Sequence, residues 1–232
     1  MIVKHAAGIL FTSAMLALAA PNEPQNASVK DIVSRLDQGA AQFRTMSAAI
    51  TRTKHTEVLN DNSTDSGTVA MKKLGVRGLQ GLMDITAPDK KTYAFSGSKI
   101  QIYYPNMKTV EEYDFGQQAE ELERFFMLGF GTSGAELEKS YELRVGGTET
   151  LNGQKTTRLA LVPKAEQGRK LVKQVDLWIP ERGEHPIQER VVEPSGDYTL
   201  MVYRDLKINP NLKETDLKLT LPKGVKKVYP QK

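Results

Sequence analysis

The strongest constraint on the fold is a long series of short segments in which apolar and polar residues alternate. They run from "SAAITRTKHTEVL" and "GTVAMKK" through "KIQIYYP" and "TTRLALVPK" to "DYTLMVYRDLKIN" and "DLKLTLP". Turn signals separate them, among them "NDNSTDSG" and Asn152–Gly153. An alternation with a period of two is typical of β-strands that bury one face. No strand–helix–strand pattern interrupts the series, which excludes a doubly wound parallel sheet.

About eleven strands are predicted, in one large antiparallel sheet that must curl and have its edges covered or closed. Two regions with helical spacing are the natural cover. "SVKDIVSRLDQGAAQF" begins with Ser28 as the N-cap and Asp31 three residues later, which predicts an amphipathic helix. Later, "QQAEELERFFML" predicts a second helix, and Ser133 with Glu136 predicts the start of a short third one.

Between these two later helices, "GFGTSG" completes a G-x-G-x-x-G pattern with Gly129, Gly131 and Gly134. A dinucleotide site needs a strand before such glycines and a parallel unit around them, whereas a helix precedes them here. We therefore predict that Gly129 ends the preceding helix and that the three glycines form a joint. Two interpretations stay open: the joint is the hinge of a movable lid, or it is a fixed loop over the core.

The N-terminus predicts export. Residues 1–19 combine Lys4, an apolar run too short to span a membrane and a small-residue "ALA" ending, which is typical of a cleaved signal peptide. Residues 20–232 are then expected to form a single domain. The chain has no cysteine, which excludes disulfides and cysteine metal sites and leaves no cysteine to carry a lipid anchor. A soluble periplasmic protein is expected.

Charge and catalytic motifs point away from nucleic acid and from enzymes. The formal charge is +4, but basic and acidic residues are interleaved, so no nucleic-acid surface is predicted. His55 and His185 stand alone, without metal-ligand spacing, and carboxylates at 111–112 and 120–123 fit exposed surfaces. No metal, cofactor or catalytic site is predicted. Trp178 could pack a helix, line a cavity or lie half-exposed. A soluble β container for an apolar ligand fits better than an enzyme.

The order of the segments resembles the periplasmic outer-membrane lipoprotein carriers (LolA) and their LolA-like relatives. The resemblance covers roughly residues 28 to 226. It rests on "FRTMSAAITRT", "GTVAMKK", "TAPDKKTYAFSGSKIQIYYPNMKTVEEYD", "TRLALVPK", "VDLWI", "SGDYTLMVYRDLKIN" and "LKLTLPKGVKKV". It implies a half-open, strongly curved antiparallel β-barrel whose concave face is covered by helices.

The resemblance also implies a function. Members of the family hold the acyl chains of lipoproteins in an apolar cavity and carry them from an inner-membrane transporter to an outer-membrane acceptor. A monomer is expected. The candidate cavity residues, each with plain core as the open alternative, are Leu79, Met83, Tyr93, Phe95, Ile100, Ile102 and Tyr104 on strands and Phe125, Phe126 and Phe130 on the lid. The candidate lid hinge is Gly129, Gly131 and Gly134.

One departure from the family concerns the fastening of the lid. Carriers of the best-known type have Arg-Pro after the second strand, and that arginine helps to hold the lid. Here Lys73 and Leu74 take that place, with Arg77 as a nearby substitute. Lysine does not replace arginine at a bidentate hydrogen-bond site. Two alternatives therefore stay open: a glycolipid or other lipid as cargo, and a periplasmic sensor of lipids or lipoproteins with the same fold.

Overall fold

The computed structural model describes residues 28–75 and 78–230, so the predicted signal peptide and Arg77 lie outside the described residues. The α-helices are α1 (Val29–Gln42), α2 (Ala119–Phe126), α3 (Gly134–Ser140) and α4 (Glu166–Leu171). Short 3-10 helices cover Glu57–Leu59, Pro105–Met107, Gly116–Gln118 and Glu214–Asp216. The strands are β1 (Thr45–Thr56), β2 (Asp61–Lys73), β3 (Leu79–Ala87), β4 (Lys91–Ser96), β5 (Lys99–Tyr104), β6 (Thr109–Asp114), β7 (Tyr141–Leu151), β8 (Gln154–Pro163), β9 (Gln174–Pro180), β10 (Gln188–Val192), β11 (Tyr198–Ile208) and β12 (Lys226–Val228).

These strands form one curved, open sheet in the order β12-β6-β5-β4-β3-β2-β1-β11-β10-β9-β8-β7. Neighbouring strands are antiparallel except for β12, which pairs with β6 in parallel. The sheet consists of two meanders, β1–β6 and β7–β11, joined where β1 pairs with β11. The predicted half-open antiparallel barrel with helical cover is confirmed.

The path of the chain explains the helical cover. Strand β6 lies near one edge of the sheet and β7 forms the other edge, so residues 115–140 must cross a face of the sheet. The crossing consists of α2, the glycine joint and α3. Within it Leu128 and Phe130 are each 1% exposed. We call the face beneath α1, α2 and α3 the covered face.

The core on the covered face has two parts. The first contains Phe43, Met46, Ala48, Ile50, Val69, Met71, Leu79, Ile85, Phe95, Met127 and Phe130. The second contains Ile32, Leu36, Leu128, Leu137, Leu159, Leu161, Val175, Leu177 and Ile179. Full burial of each such side chain other than Ala48 contributes about 1.5–3 kcal/mol. Residues of the crossing segment belong to both parts, Met127 and Phe130 to the first and Leu128 and Leu137 to the second, so this segment holds the two meanders together.

Both predicted helix caps are confirmed. The Ser28 hydroxyl accepts the amide hydrogen of Asp31, and the Ser133 hydroxyl accepts that of Glu136. Helix α2 ends at Phe126, earlier than predicted, and Gly129 follows with a φ of +74°. None of the described helices has the length and apolar content needed to cross a membrane.

Two local predictions are wrong. "DLKLTLP" is not a strand: it runs without sheet partners and is anchored by Leu217, which is 3% exposed. The last strand is β12 instead. Most of "NDNSTDSG" is not a turn, because β2 already begins at Asp61, which pairs with Thr56 at the end of β1. The turn itself is the 3-10 helix Glu57–Leu59 together with Asn60, which has a φ of +48°.

Candidate functional site

The predicted cavity residues of the strands share one face. Tyr93 on β4 lies opposite Met83 on β3 and Ile102 on β5. Directly opposite residues of neighbouring strands point to the same side of a sheet. Met83 and Tyr93 pack against the first core, which places this row on the covered face. We call Met83, Tyr93, Ile100, Ile102 and Tyr104 the apolar stripe.

The candidates differ in burial, and that difference separates core from surface. Leu79, Phe95 and Phe130 are at most 9% exposed and belong to the core. Every residue of the apolar stripe is half-buried instead. Tyr104 donates a hydrogen bond to Glu111 at 3.4 Å, so a polar group marks the β6 end of the stripe. A half-buried apolar surface beside a buried core is a surface that a ligand can cover.

Helix α2 is the cover nearest to the stripe, and it is lightly held. Its Phe126 ring stacks on Phe95 with a centroid distance of 5.1 Å, and Glu123 accepts the amide hydrogen of Leu79 at 3.2 Å. Phe125 packs against the second core. None of the described residues of α2 is buried. A cavity of about 390 Å³ separates the start of α2 from the turns at Gly78 and Gly97.

The glycine joint is densely packed. The Met127 carbonyl accepts amide hydrogens from Phe130, Gly131 and Thr132 at 2.9–3.2 Å. A Cβ atom on Gly134 would lie 2.2 Å from Val33 of α1, and one on Gly129 would lie 2.7 Å from Pro186. The glycines therefore permit close approach of the crossing segment to α1 and to the loop after β9. The hinge role of Gly129, Gly131 and Gly134 stays a prediction.

The loop between β9 and β10, residues 181–187, fastens this joint. The His185 ring stacks on Phe130 with a centroid distance of 5.6 Å, and its Nδ1 lies 3.2 Å from the Gly129 carbonyl oxygen. Nδ1 must carry a hydrogen to donate there. Arg35 of α1 donates to three carbonyls of Pro180 and the loop, so α1, the loop and the joint form one connected unit. The sequence alone predicts an ordinary turn residue at His185, and no local pattern marks its role.

Burial lowers the pKa of His185, with the hydrogen bond to Gly129 opposing the shift. A histidine whose folded-state pKa is depressed favours the neutral form, so its protonation in the unfolded chain destabilises the fold as pH falls below about 6.5. We expect His185→Phe, which keeps the stacking, to lose this acid sensitivity. Urea unfolding of wild type and variant over that pH range measures it. An unchanged pH dependence would contradict the assignment.

A charged cluster that the sequence did not reveal lies beside the apolar stripe. Arg52 of β1 is 7% exposed, pairs with Asp65 of β2 and lies with its guanidinium 5.3 Å from the Tyr93 ring centroid. Lys91 lies 3.6 Å from the same Asp65 carboxylate. Arg52 and Lys91 lower the pKa of Asp65 against the opposing effect of desolvation. The apolar stripe therefore has a compact ionic cluster next to Tyr93.

An acid also lies within the covered face. Glu189 of β10 stands between Leu177 of β9 and Met201 of β11, and it accepts a hydrogen bond from Tyr203 at 3.3 Å. Desolvation raises the pKa of Glu189 to about 7, although the Tyr203 hydrogen bond opposes the shift. Glu189 is one of the causes that raise the pKa of Tyr141, after burial. The covered face therefore contains a carboxyl group that changes charge near neutral pH.

Two other residues singled out in the sequence lie elsewhere. Trp178 is 4% exposed, on the face opposite Leu177, and donates to Glu149 at 2.9 Å, so it does not line the covered face. Lys73, at the predicted lid-fastening position, ends β2, where its amide bonds to the Arg44 carbonyl. Within residues 28–75 and 78–230, no group of three or more metal-ligating side chains comes together.

Comparisons with known proteins bear on the fold. No protein-family model matches the chain, and no curated protein matches it. The structure of MucB superposes with a TM-score of 0.51 at 12% identity, over 82% of this chain and 62% of MucB. The chain thus spans about three fifths of the length of MucB. An uncharacterized conserved protein from Thermus thermophilus superposes with a TM-score of 0.51 at 13% identity, over 88% of this chain and 99% of the other.

A LolA superfamily protein from Nitrosomonas europaea also matches, with a TM-score of 0.38 at 11% identity, over 83% of this chain and 98% of the other. At identities of 11–13%, likeness concerns the fold alone. The observed architecture is itself a curved, open antiparallel sheet with helices across one face. This architecture is the one that the resemblance to the LolA-like carriers implies, and the chain shares its fold with MucB and with the Thermus thermophilus protein.

Proposed function

We propose that this protein is a periplasmic carrier that binds acyl chains of lipoproteins or other lipids on its covered face and moves them from the inner to the outer membrane. The observation that carries the proposal is the apolar stripe. It is only half-buried beside a buried core, and its nearest cover, α2, has no buried residue among those described. An acyl chain between the stripe and α2 would cover the apolar side chains of the stripe that the protein alone leaves partly exposed.

The energetics suit a carrier. A sixteen-carbon acyl chain gains about 12 kcal/mol on leaving water, at about 0.8 kcal/mol per methylene. The covered face must offset most of the corresponding loss when the chain leaves a membrane. It must also release the chain, because each ~1.4 kcal/mol of affinity difference favours transfer to an acceptor tenfold. A lightly held helix permits binding and release without a large rearrangement of the core.

The ionic cluster suggests how cargo is oriented. Arg52 and Lys91 lie close to Tyr93, whereas Met83, Ile100 and Ile102 of the stripe are apolar. A lipid with an apolar tail and a polar or anionic end would place its tail along the stripe and its polar end near these cations. This arrangement fits acylated peptides and phospholipids alike. The partners under this proposal are an inner-membrane transporter and an outer-membrane acceptor, and the protein acts as a carrier rather than as an enzyme.

Phe126→Asp tests the proposal. A carboxylate in place of the ring that stacks on Phe95 would put an unpaired charge beside the ligand, which apolar surroundings disfavour. We expect the affinity for a fluorescent sixteen-carbon fatty acid to fall at least about tenfold. Val58→Asp, at a side chain that is 88% exposed on the β1–β2 turn, is the matched control and should bind as wild type does.

Circular dichroism and urea unfolding must first show that the Phe126→Asp protein is folded. A folded variant that binds the fatty acid as tightly as wild type would contradict the placement of the ligand under α2. A wild-type protein that binds neither the fatty acid nor a triacylated peptide would contradict the carrier function itself.

A second candidate is a periplasmic regulator that senses lipids with the same covered face. The likeness to MucB favours it, and structures of MucB in complex with MucA are among the matches. The two functions differ in the step after binding. A carrier transfers a labelled acylated peptide to acceptor vesicles, whereas a sensor keeps the lipid and changes its affinity for a protein partner.

A further inference from the structure

The sheet contains an internal edge where one strand stops early. Strand β10 begins at Gln188, opposite Val202 of β11, and the last contact beyond it is the hydrogen bond from the Tyr203 amide to the Ile187 carbonyl at 2.9 Å. Strand β11 continues to Ile208 and pairs only with β1 over that length. The loop 181–187 leaves the sheet here to contact α1 and the glycine joint.

The register fixes where the backbone groups of this edge point. The Asn209 amide bonds to the Thr45 carbonyl, so Asn209 faces β1. Along an antiparallel strand, successive residues direct their backbone N–H and C=O groups to opposite sides. The backbone groups of Lys207 therefore point towards β1, and those of Leu206 and Ile208 point away from it. Outside the strand ladders, no hydrogen bond joins the backbone groups of Leu206 and Ile208 to another described residue. Two amides and two carbonyls therefore face an open space.

That space is a groove with a volume of about 670 Å³, which lies in the range of ligand sites. It is lined by Asn152, Gln154, Pro180, Gly183, Glu184, His185, Ile187, Tyr203, Arg204, Asp205, Leu206 and Ile208. The groove continues the slot between β9 and β11 that β10 fills over residues 188–192. We call it the edge groove. Its shape is therefore that of a missing strand.

A β-bulge in β11 determines which side chains line the edge groove. The register with β1 shifts between Ala49–Arg204 and Ser47–Lys207, and Asp205 takes a positive φ of 51°. The extra residue keeps Tyr203 and Leu206 on the covered face, where both pack against the first core together with Ile208. Arg204 points to the opposite face and donates to Thr51. One side of the groove is thus apolar and the other is polar.

The outer edge of the sheet provides a contrast. Strand β7 carries charged side chains such as Glu142 and Arg144 and has a register irregularity at Gly146–Gly147. Charges and bulges on an edge discourage pairing with another chain. The edge groove combines unpaired backbone groups with apolar neighbours, which favours pairing.

We propose that the edge groove binds an extended polypeptide segment by strand addition to residues 204–208 of β11. Peptides that add to a sheet edge gain affinity from main-chain hydrogen bonds and specificity from alternate side chains. The segment needs apolar residues at the two alternate positions beside Leu206 and Ile208 and polar residues between them, facing Arg204 and the 152–154 turn. Five residues of strand span about 16 Å. The inference does not depend on lipid binding at the stripe.

Amide hydrogen exchange of the full mature protein, measured by NMR, tests this proposal. The probe is the capped peptide acetyl-Thr-Val-Thr-Val-Thr-amide. We expect the Leu206 and Ile208 amides to exchange rapidly in the free protein and at least about tenfold more slowly with saturating peptide. The Lys207 amide pairs with β1 and is the internal control, with unchanged exchange. A peptide with N-methylated valines, which lacks the corresponding donors, should not protect them.

Matched variants locate the site. Leu206→Asp puts a charge on the apolar side of the groove and should abolish peptide binding, whereas Lys207→Asp, at the next and exposed residue, should retain it. Three outcomes would overturn the proposal: no binding at about 1 mM peptide, binding without slower exchange at Leu206 and Ile208, or protection of both amides in the free protein. The last outcome would show that the chain fills its own groove.

The fatty-acid titration and the peptide titration test the two proposals independently. Phe126→Asp should bind the peptide as wild type does, because the groove and α2 share no described contact. A wild-type protein that binds the peptide but not the fatty acid would contradict the carrier function alone. A wild-type protein that binds the fatty acid but not the peptide would contradict the edge-groove proposal alone.

Discussion

Replacing Glu189 with glutamine is expected to stabilise the protein at neutral and alkaline pH and to leave it unchanged in mild acid. The pKa of Glu189 is raised from 4.5 to about 7 because its carboxyl group lies on the covered face between Leu177 and Met201. Between these two pH values the folded protein keeps a proton that the unfolded chain has lost. Stability therefore falls as pH rises through this window and is constant above it.

The full shift corresponds to about 3 kcal/mol, and partial solvent contact of the side chain reduces the expected effect to about 1–3 kcal/mol. Urea unfolding of both proteins at about pH 5 and about pH 8 measures the difference. Because His185 titrates in both proteins, its opposite effect cancels in the comparison. Glu142→Gln, at an exposed residue of β7, is the control and should change little. Equal stability of wild type and Glu189→Gln at pH 8 would contradict an acid held neutral by burial.

Phe130→Ala is expected to lower the free energy of unfolding by about 3–5 kcal/mol, the usual cost of a large aromatic side chain in a core. Phe130 is 1% exposed, stacks on His185 and meets Tyr203 edge-on at 5.5 Å. Phe126→Ala should cost about half as much or less, because Phe126 is only half-buried where it stacks on Phe95 and packs against the first core.

The two variants together separate the fixed part of the crossing segment from its movable part. Urea unfolding of both variants gives the two costs. Hydrogen exchange should also show that the amides of α2 open with a smaller free energy than those around Phe130. Equal costs for the two variants would mean that α2 belongs to the core, and the apolar stripe would then have no removable cover.

Much of the fold was predictable from the sequence because its signals are local. The alternation in "KIQIYYP" predicts both β5 and the face shared by Ile100 and Ile102, since side chains alternate along every strand. Ser28 and Ser133 mark helix starts through hydrogen bonds within one turn of chain. The helix predicted before the glycines at 129–134 is present as α2, and a helix there is the context that argues against a nucleotide site.

The wrong secondary-structure predictions share a physical cause, which is that strand formation depends on pairing between distant parts of the chain. Asp61–Thr64 looks like a turn by composition, yet β1 supplies the strand partners that make it β2. "DLKLTLP" alternates like a strand but meets no partner.

The same cause hides functional groups. His185 matters through Phe130 and Gly129, which lie more than fifty residues earlier in the chain. Arg52 and Glu189 are ordinary charged residues in a sequence, and only the register places them on the covered face.

Native mass spectrometry of the mature protein, purified gently from a Gram-negative periplasm, tests the central claim most directly. The account predicts protein carrying a co-purified lipid or acylated peptide, whose mass identifies the class of cargo, and predicts that Phe126→Asp is recovered without it. Wild-type protein that is recovered empty and that also fails to take up an added acyl probe would contradict the claim that the covered face holds an apolar ligand.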